Sequence, residues 1–470
     1  MQRPQMTGLI VVGLLTGCAV QVPQPDAATM NPQATRWEAS KPVVDPQRVV
    51  ALQDWWAGWH DAVLQRLQVA AQQSSPSLQQ ATARIQEARA DAAAAGAALW
   101  PRLTLHGSDT HSRNEVQQPN ERLHTQNLGL DASWELDLFG GVAAARQSYL
   151  ATQSARDAEW HDARISLAAE VANTYVMLRS LEQQILLQQE QQRSLQQTHL
   201  LVEKRRQAGW SSATDVLNLD AALANGQSQL QELQSARDLT IKGLVALTGV
   251  AERDVRDWVA VGYAGQPQPP GLVVDDVPAN VLQQRPDIRI AADGIRSAAS
   301  AVGVAEALRY PSVSLLGSIS RLRVGSAGAT IEGNSWSFGP SISFPLFDGG
   351  RLKAQQEAAE ARYQQSVAAY QGLVRQAVRE VEEALVRLEG SRIREQQLRQ
   401  AVSAYQQVYR NTDILWKAGS VSQLELEEAR RQWRGAEMAL AQLQRERVSY
   451  WIALYKATGG DWTHMRQQPR

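Results

Sequence analysis

The strongest constraint on this chain is a pair of very long stretches that lack helix breakers. From Gly141 to Ala208 there is no Pro, and no Gly after the first residue. From Gly350 to Ala418 the pattern recurs, interrupted only by Gly372 and Gly390. Pro and Gly in a helix interior cost about 3 and 1 kcal/mol relative to Ala, so their exclusion favours continuous helix. A helix of about 68 residues would be roughly 100 Å long at 1.5 Å per residue, against a globular mean of about 11 to 12 residues. Within the second stretch Val367, Tyr370, Val374, Val378, Val381, Leu385 and Leu388 step by threes and fours, the spacing of a coiled-coil seam. Gln, Glu and Arg fill the other faces.

The surrounding sequence is duplicated. Ala98-Leu-Trp-Pro-Arg-Leu-Thr-Leu105 is echoed by Ala307-Leu-Arg-Tyr-Pro-Ser-Val-Ser-Leu315. Leu138-Phe-Gly-Gly141 is echoed by Leu346-Phe-Asp-Gly-Gly350, and Gln207-Ala-Gly209 by Lys417-Ala-Gly419. Landmarks in one order at a nearly constant offset argue for two structural halves. The expected organisation is residues 1–17 as a lipoprotein signal peptide, 18–53 as a tether, 54–262 as a first repeat, 263–279 as a linker and 280–470 as a second repeat. In the first repeat helices precede a strand pair at about 102–138, a long helix at 141–208 and a helix at 212–248. The second has a helix, a strand pair at about 312–347, a long helix at 350–418 and a helix at 422–457.

The strands carry a period-two signal. Leu128, Leu130, Ala132, Trp134, Leu136 and Leu138 alternate with Asn127, Asp131, Ser133, Glu135 and Asp137. Trp336, Phe338, Ile342, Phe344 and Leu346 alternate with Ser335, Ser337, Ser341 and Ser343. Leu103, Leu105, Val313, Leu315 and Ile319 begin the partner strands, with Leu316 out of phase. All 4 Phe of the chain lie in or beside these strands. Soluble sandwiches alternate too, but about ten alternating residues with aromatic ends and a polar opposite face suit a transmembrane barrel. No stretch other than the N-terminal one approaches a spanning helix, so a crossing of the membrane requires a closed barrel. Four strands cannot close one, since single-chain barrels begin at eight. Several copies must therefore pool their strands, because open edges are not tolerated in lipid.

Gly8 to Gly17 is a short apolar run, too short to span, followed directly by the chain's single Cys, Cys18. Leu15-Thr16-Gly17-Cys18 resembles a lipoprotein box, which makes Cys18 the lipidation site. One Cys excludes disulfide frameworks and Cys-based zinc sites. With 47 Lys+Arg against 48 Asp+Glu the chain is no basic nucleic-acid binder. No Gly-rich loop ends in Gly-Lys-Ser/Thr, and no catalytic constellation is visible, so neither enzyme activity nor a cofactor is expected. The 7 His are scattered, and His106 and His111 have opposite strand parity, which argues against a metal site formed with His124. Arg285-Pro286-Asp287 reads as helix-start chemistry. Asp131, Glu135 and Asp137 share one strand face and read as the lining of a water-filled lumen.

Taken together, Cys18, Asp54-Trp55-Trp56, Arg285-Pro286-Asp287-Ile288, Tyr310-Pro311, both Leu-Phe-Gly corners and both Ala-Gly landmarks resemble the TolC-like outer-membrane efflux channels, in their lipid-anchored branch serving multidrug pumps. The resemblance implies a mainly α fold with transmembrane β. Three protomers each give four strands to a twelve-stranded barrel and long helices to a periplasmic α-barrel. It further implies a passive outer-membrane duct for drugs, with a periplasmic adaptor and an inner-membrane transporter of the RND class as partners. By the same resemblance Gly209 and Gly419 turn the helix tips at a periplasmic aperture. Trp416 takes an aromatic lock position, Asp215 is its first-half partner, and Glu425 and Glu428 form an acidic ring. Val421 stands where some members carry an arginine link, and Glu replaces Asp in the ring. Two competitors are a periplasmic adaptor lipoprotein, which predicts one hairpin and no alternating strand pairs, and a duct for type I polypeptide secretion, which uses the same conduit.

Overall fold

A computed structural model of the protein describes residues 20–25, 36–40, 51–113, 122–260, 265–272, 274, 278–326 and 329–461. Cys18, the signal segment, most of the 18–53 segment and residues 263, 264, 273 and 275–277 lie outside the described residues. Two short 3-10 turns, Leu52–Asp54 and Ala57–Trp59, lead into α1 (Ala62–Ser74) and α2 (Pro76–Ala97). Then come β1 (Arg102–Arg113), β2 (Arg122–Leu136), α3 (Gly141–Gln207), α4 (Ala213–Thr248) and α5 (Glu252–Ala260). The order continues with α6 (Pro278–Gln283), α7 (Pro286–Ala307), β3 (Ser312–Ser326), β4 (Ala329–Ser343), α8 (Arg351–Lys417) and α9 (Gln423–Ala457). The two long helices each hold 67 residues. No helix among the described residues is long and apolar enough to cross a membrane.

The chain forms two compact units, and each draws segments from both sequence halves. The first contains residues 82–158 and 289–373 and is built on one antiparallel sheet of order β1-β2-β3-β4. The strands of the two halves therefore meet directly: Leu130 pairs with Ile319, and Trp134 with Leu315. β2 stops at Leu136, short of the expected 138, where Leu138 turns back to the Leu136 carbonyl at 2.8 Å and Gly140 adopts φ 82°. β4 stops at Ser343, short of 347, because Pro345 has no N–H to give to a ladder. At this corner Phe139 stacks on Tyr310, their centroids 4.7 Å apart, and the Val20 N–H donates to the Phe139 carbonyl at 3.2 Å.

The second unit, residues 32–81, 159–288 and 374–470, holds the main apolar core. Tyr370 is buried at the end of the first unit's share of α8; Val374, Val381, Leu385 and Leu388 of the same stripe are buried in the second, and Val378 packs against its core. Trp55 is fully buried, stacks on Tyr455 at 4.6 Å, and donates its indole N–H to the Pro270 carbonyl at 3.1 Å. Leu272 and Val274 are also buried, so this part of the 263–279 segment is core. Arg285 does more than start a helix. Its guanidinium donates to Asp287 at 2.7 and 3.0 Å, to Glu380 of α8 at 2.7 Å and to the Ala457 carbonyl of α9 at 2.9 Å.

Candidate functional site

The strand register sorts side chains into rows. On one face, successive rows are Leu136, Val313 and Ile342; Trp134, Leu315 and Pro340; Leu103, Ala132, Gly317 and Phe338; and Leu105, Leu130, Ile319 and Trp336. These rows are apolar throughout, yet Leu103, Leu105, Ile319, Trp336, Phe338 and Ile342 are each more than half exposed in the single chain. Exposed apolar surface on this scale needs lipid or protein against it. In the next rows polar side chains take over, first on β3 and β4 and then on β1 and β2. They are Gly107, Leu128, Arg321 and Asn334, then Asp109, Gln126, Arg323 and Glu332, then His111, His124, Gly325 and Thr330. Glu332 accepts from both Arg321 at 3.0 Å and Arg323 at 3.1 Å.

The opposite face carries Thr104, His106, Asp131, Ser133 and Glu135, with Ser314, Ser318, Ser337 and Ser341 alongside. His106 and Asp131 approach to 3.0 Å, and Ser318 and Ser337 hydroxyls to 2.9 Å. Asp131 and Glu135 share this face. Asp137 does not: it lies past the end of β2, and its carboxylate accepts from the N–H groups of Val142 at 3.0 Å and Ala143 at 2.8 Å. Those are orphan donors of the first turn of α3, so Asp137 is a helix-start residue rather than a strand one.

At the far ends of the long helices the two halves use the same device twice. Gly209 has φ 81° and Gly419 φ 75°, conformations that glycine reaches without a Cβ clash. The Gly209 and Trp210 N–H groups return to the carbonyls of Arg206 and Arg205, and those of Gly419 and Ser420 to Trp416 and Leu415. This is the Schellman closure of a helix C-terminus. Two residues later a capping box opens the next helix. The Ser212 N–H donates to the Asp215 carboxylate at 3.0 Å, and the Asp215 N–H to the Ser212 hydroxyl at 3.1 Å. Ser422 and Glu425 repeat this at 2.7 and 3.2 Å. The Ser212 backbone N–H foremost, then its side chain, hold the Asp215 carboxyl below its ordinary range. Glu428 pairs with Arg431 and accepts from the Gln432 amide at 3.0 Å. Trp416 is half-buried. Trp210, Leu217, Ile414 and Leu424 are all strongly exposed around these turns.

Just behind the tips lies a polar network that sequence reasoning missed. Glu427 is buried, accepting from the Thr198 hydroxyl at 2.7 Å and the Arg430 guanidinium at 2.7 Å. Arg430 also donates to the Tyr409 hydroxyl at 2.9 Å. Tyr409 stacks on Trp433, whose ring lies under Arg434, and Arg434 reaches Glu190 at 2.7 Å. This network ties α3, α8 and α9 together. Its only sequence signal is the acidic run at Glu425, Glu427 and Glu428, in which parity and burial cannot be told apart.

The outer membrane efflux protein model matches this sequence twice, over residues 67–250 and 277–460. The chain belongs to the outer membrane efflux protein family. The outer membrane protein OprJ of Pseudomonas aeruginosa is 30% identical over 431 residues, covering 88% of this chain and 87% of its own. The toluene efflux pump outer membrane protein TtgC of Pseudomonas putida is 27% identical over 487 residues, covering 98% and 96%. Among solved structures the outer-membrane channel OprN superposes with a TM-score of 0.79 at 27% identity, covering 94% of this chain and all of that one. This efflux protein is thus an outer-membrane channel that extends into the periplasm, with long helices and a four-stranded sheet per chain. The family is one of conduits, and its apolar strand rows and polar opposite face acquire their meaning from that role.

Proposed function

We propose that three copies of the chain pool their sheets into one twelve-stranded barrel and act as the passive exit duct of a tripartite pump. The observation that carries this reading is the sheet: a four-stranded ladder whose β1 and β4 edges have no further partner among the described residues, and whose apolar rows are exposed. Backbone groups on such edges cannot remain unpaired in lipid. Asp131 and Glu135 line the lumen. The long helices lead to the tips, where the Asp215 and Trp416 helix pairs form the aperture and Glu425 and Glu428 ring it with negative charge. The exposed Trp210, Leu217 and Leu424 suit docking of a periplasmic adaptor, through which an inner-membrane transporter of the RND class supplies the energy. TtgC, by its name an efflux pump component, favours small molecules over polypeptides as cargo. Lipidation of Cys18 fits the seating of Val20 against Phe139, two residues from that Cys at the base of the strands.

The copy number is tested by cysteines introduced in pairs across the free edges, at Thr104 or Ser108 of β1 and at Ser335 or Ser341 of β4. Oxidation in native membranes should give a ladder ending at three chains; a ladder ending at two or passing three overturns the arrangement. The aperture is tested by planar-bilayer recording of Glu425→Gln/Glu428→Gln. Reduced cation selectivity is expected, and selectivity equal to the parent's defeats the acidic ring.

A further inference from the structure

We propose that Asp109, His111 and His124 form a binding site for a divalent transition metal, with Zn2+ as its natural probe, on the apolar-row face of the sheet beyond the last apolar row. The parity that separates His106 from His111 does not separate His111 from His124. Those two are direct cross-strand partners, and Asp109 and Gln126 are the next pair on the same face. One ligand atom from each of the three residues lies within 4.8 Å of the others. His124 Nε2 is 2.6 Å and His111 Nε2 3.7 Å from the same oxygen of Asp109. Tetrahedral Zn2+ with bonds of about 2.0 to 2.2 Å holds its ligand atoms about 3.4 Å apart, and these two separations bracket that value.

The carboxylate is also oriented for the task. The Gln126 amide donates to its other oxygen at 3.1 Å, which leaves the first oxygen directed at both imidazoles. Such an outer hydrogen bond is what fixes a metal-binding carboxylate. The two rings now lie nearly parallel, 8° apart with centroids at 4.0 Å. Binding requires the stack to open into a wedge so that both lone pairs converge. Both rings are at the surface and can turn about χ2 without disturbing the ladder. Two imidazoles and one carboxylate suit Zn2+, Ni2+ or Cu2+ and disfavour Mg2+ and Ca2+, which take oxygen ligands. Water completes the shell, since the cluster is open to solvent. Arg113 and Arg122 occupy the following row, and their charge opposes a bound cation. Because Asp109, His111 and His124 lie opposite Asp131 and His106, the metal would sit outside the conduit and would not be cargo in transit.

The test is calorimetric titration of the tag-free, detergent-purified full chain with Zn2+. One equivalent per chain is expected. His111→Gln and His124→Gln should each weaken binding at least tenfold, and Gln126→Leu, which removes no ligand, about tenfold. His199→Ala serves as control: His199 pairs with Asp220 at 2.8 Å but has no third ligand among the described residues, so binding should be unchanged. Far-UV circular dichroism and bilayer conductance of each variant should match the parent, which separates loss of the site from loss of the channel. Parent-like affinity in either His variant, or equal competition by Mg2+, overturns the proposal while leaving the channel reading intact.

Discussion

Removing Arg430 should loosen the helix tips more than removing it together with its partner. The Glu427 and Arg430 side chains are only 7% and 21% exposed, and their 2.7 Å contact is one of the few charged pairs here shielded from water. Arg430→Met strands the Glu427 carboxylate, and breaking a buried pair from one side costs about 3 to 5 kcal/mol. The Thr198 hydroxyl still donates to the carboxylate at 2.7 Å, so the lower end, about 3 kcal/mol, is expected. Glu427→Gln keeps the shape and leaves Arg430 on the Tyr409 hydroxyl, for a cost of about 1.5 kcal/mol. The double variant contains no stranded charge and should cost about 2 kcal/mol, a coupling of roughly 2.5 kcal/mol. Native-state hydrogen exchange across Leu424 to Trp433 reads this locally, without requiring reversible global unfolding. At 1.4 kcal/mol per tenfold, Arg430→Met should raise the opening constant roughly a hundredfold, and the double variant about fivefold less than that. A single-variant cost below about 1 kcal/mol, or a double variant equal to the sum of its parts, would refute the reasoning.

Ser422→Ala removes the acceptor for the Glu425 N–H and should cost about 1 kcal/mol in the first turn of α9, with Ser422→Asn restoring most of it in the same exchange measurement. Asp162→Asn should raise the thermal midpoint at pH 7. Burial first, then the nearby Asp287 charge, push the Asp162 carboxyl above its ordinary value of 3.8, so the ionised form is disfavoured in the folded chain. That penalty sets in as pH rises from the ordinary value through the raised one and is constant above the raised one, so the advantage of Asn should vanish on acidification below the ordinary value. A midpoint gain that persists at low pH contradicts the assignment. Gly459→Ala should cost about 3 kcal/mol by thermal melting: Gly459 has φ 93°, and an added Cβ would lie 2.8 Å from the Gln284 carbonyl carbon.

What the sequence discloses and what it hides follow from the range of the interactions involved. The long helices and the strand alternation are short-range patterns, set by the absence of Pro and by period two, and they could be read from residues such as Leu128 to Leu136 alone. The tip turns were legible for the same reason, since Gly209 to Asp215 and Gly419 to Glu425 close hydrogen bonds within a few residues. Assignment of Asp137 to a strand face failed at a boundary, where one more residue of pairing changes a lining group into a helix cap. Glu427 with Thr198, and Arg285 with Glu380 and Ala457, are joined across 229, 95 and 172 positions. No periodicity marks such partners in advance. The same holds for Asp109, His111 and His124: parity relates residues on one strand, but only the register of β1 against β2 decides which row of one meets which row of the other. A shift by a single residue would have turned His124 to the opposite face from Asp109 and His111. The register therefore both aligns the apolar rows on one face and gathers Asp109, His111 and His124 beyond their edge.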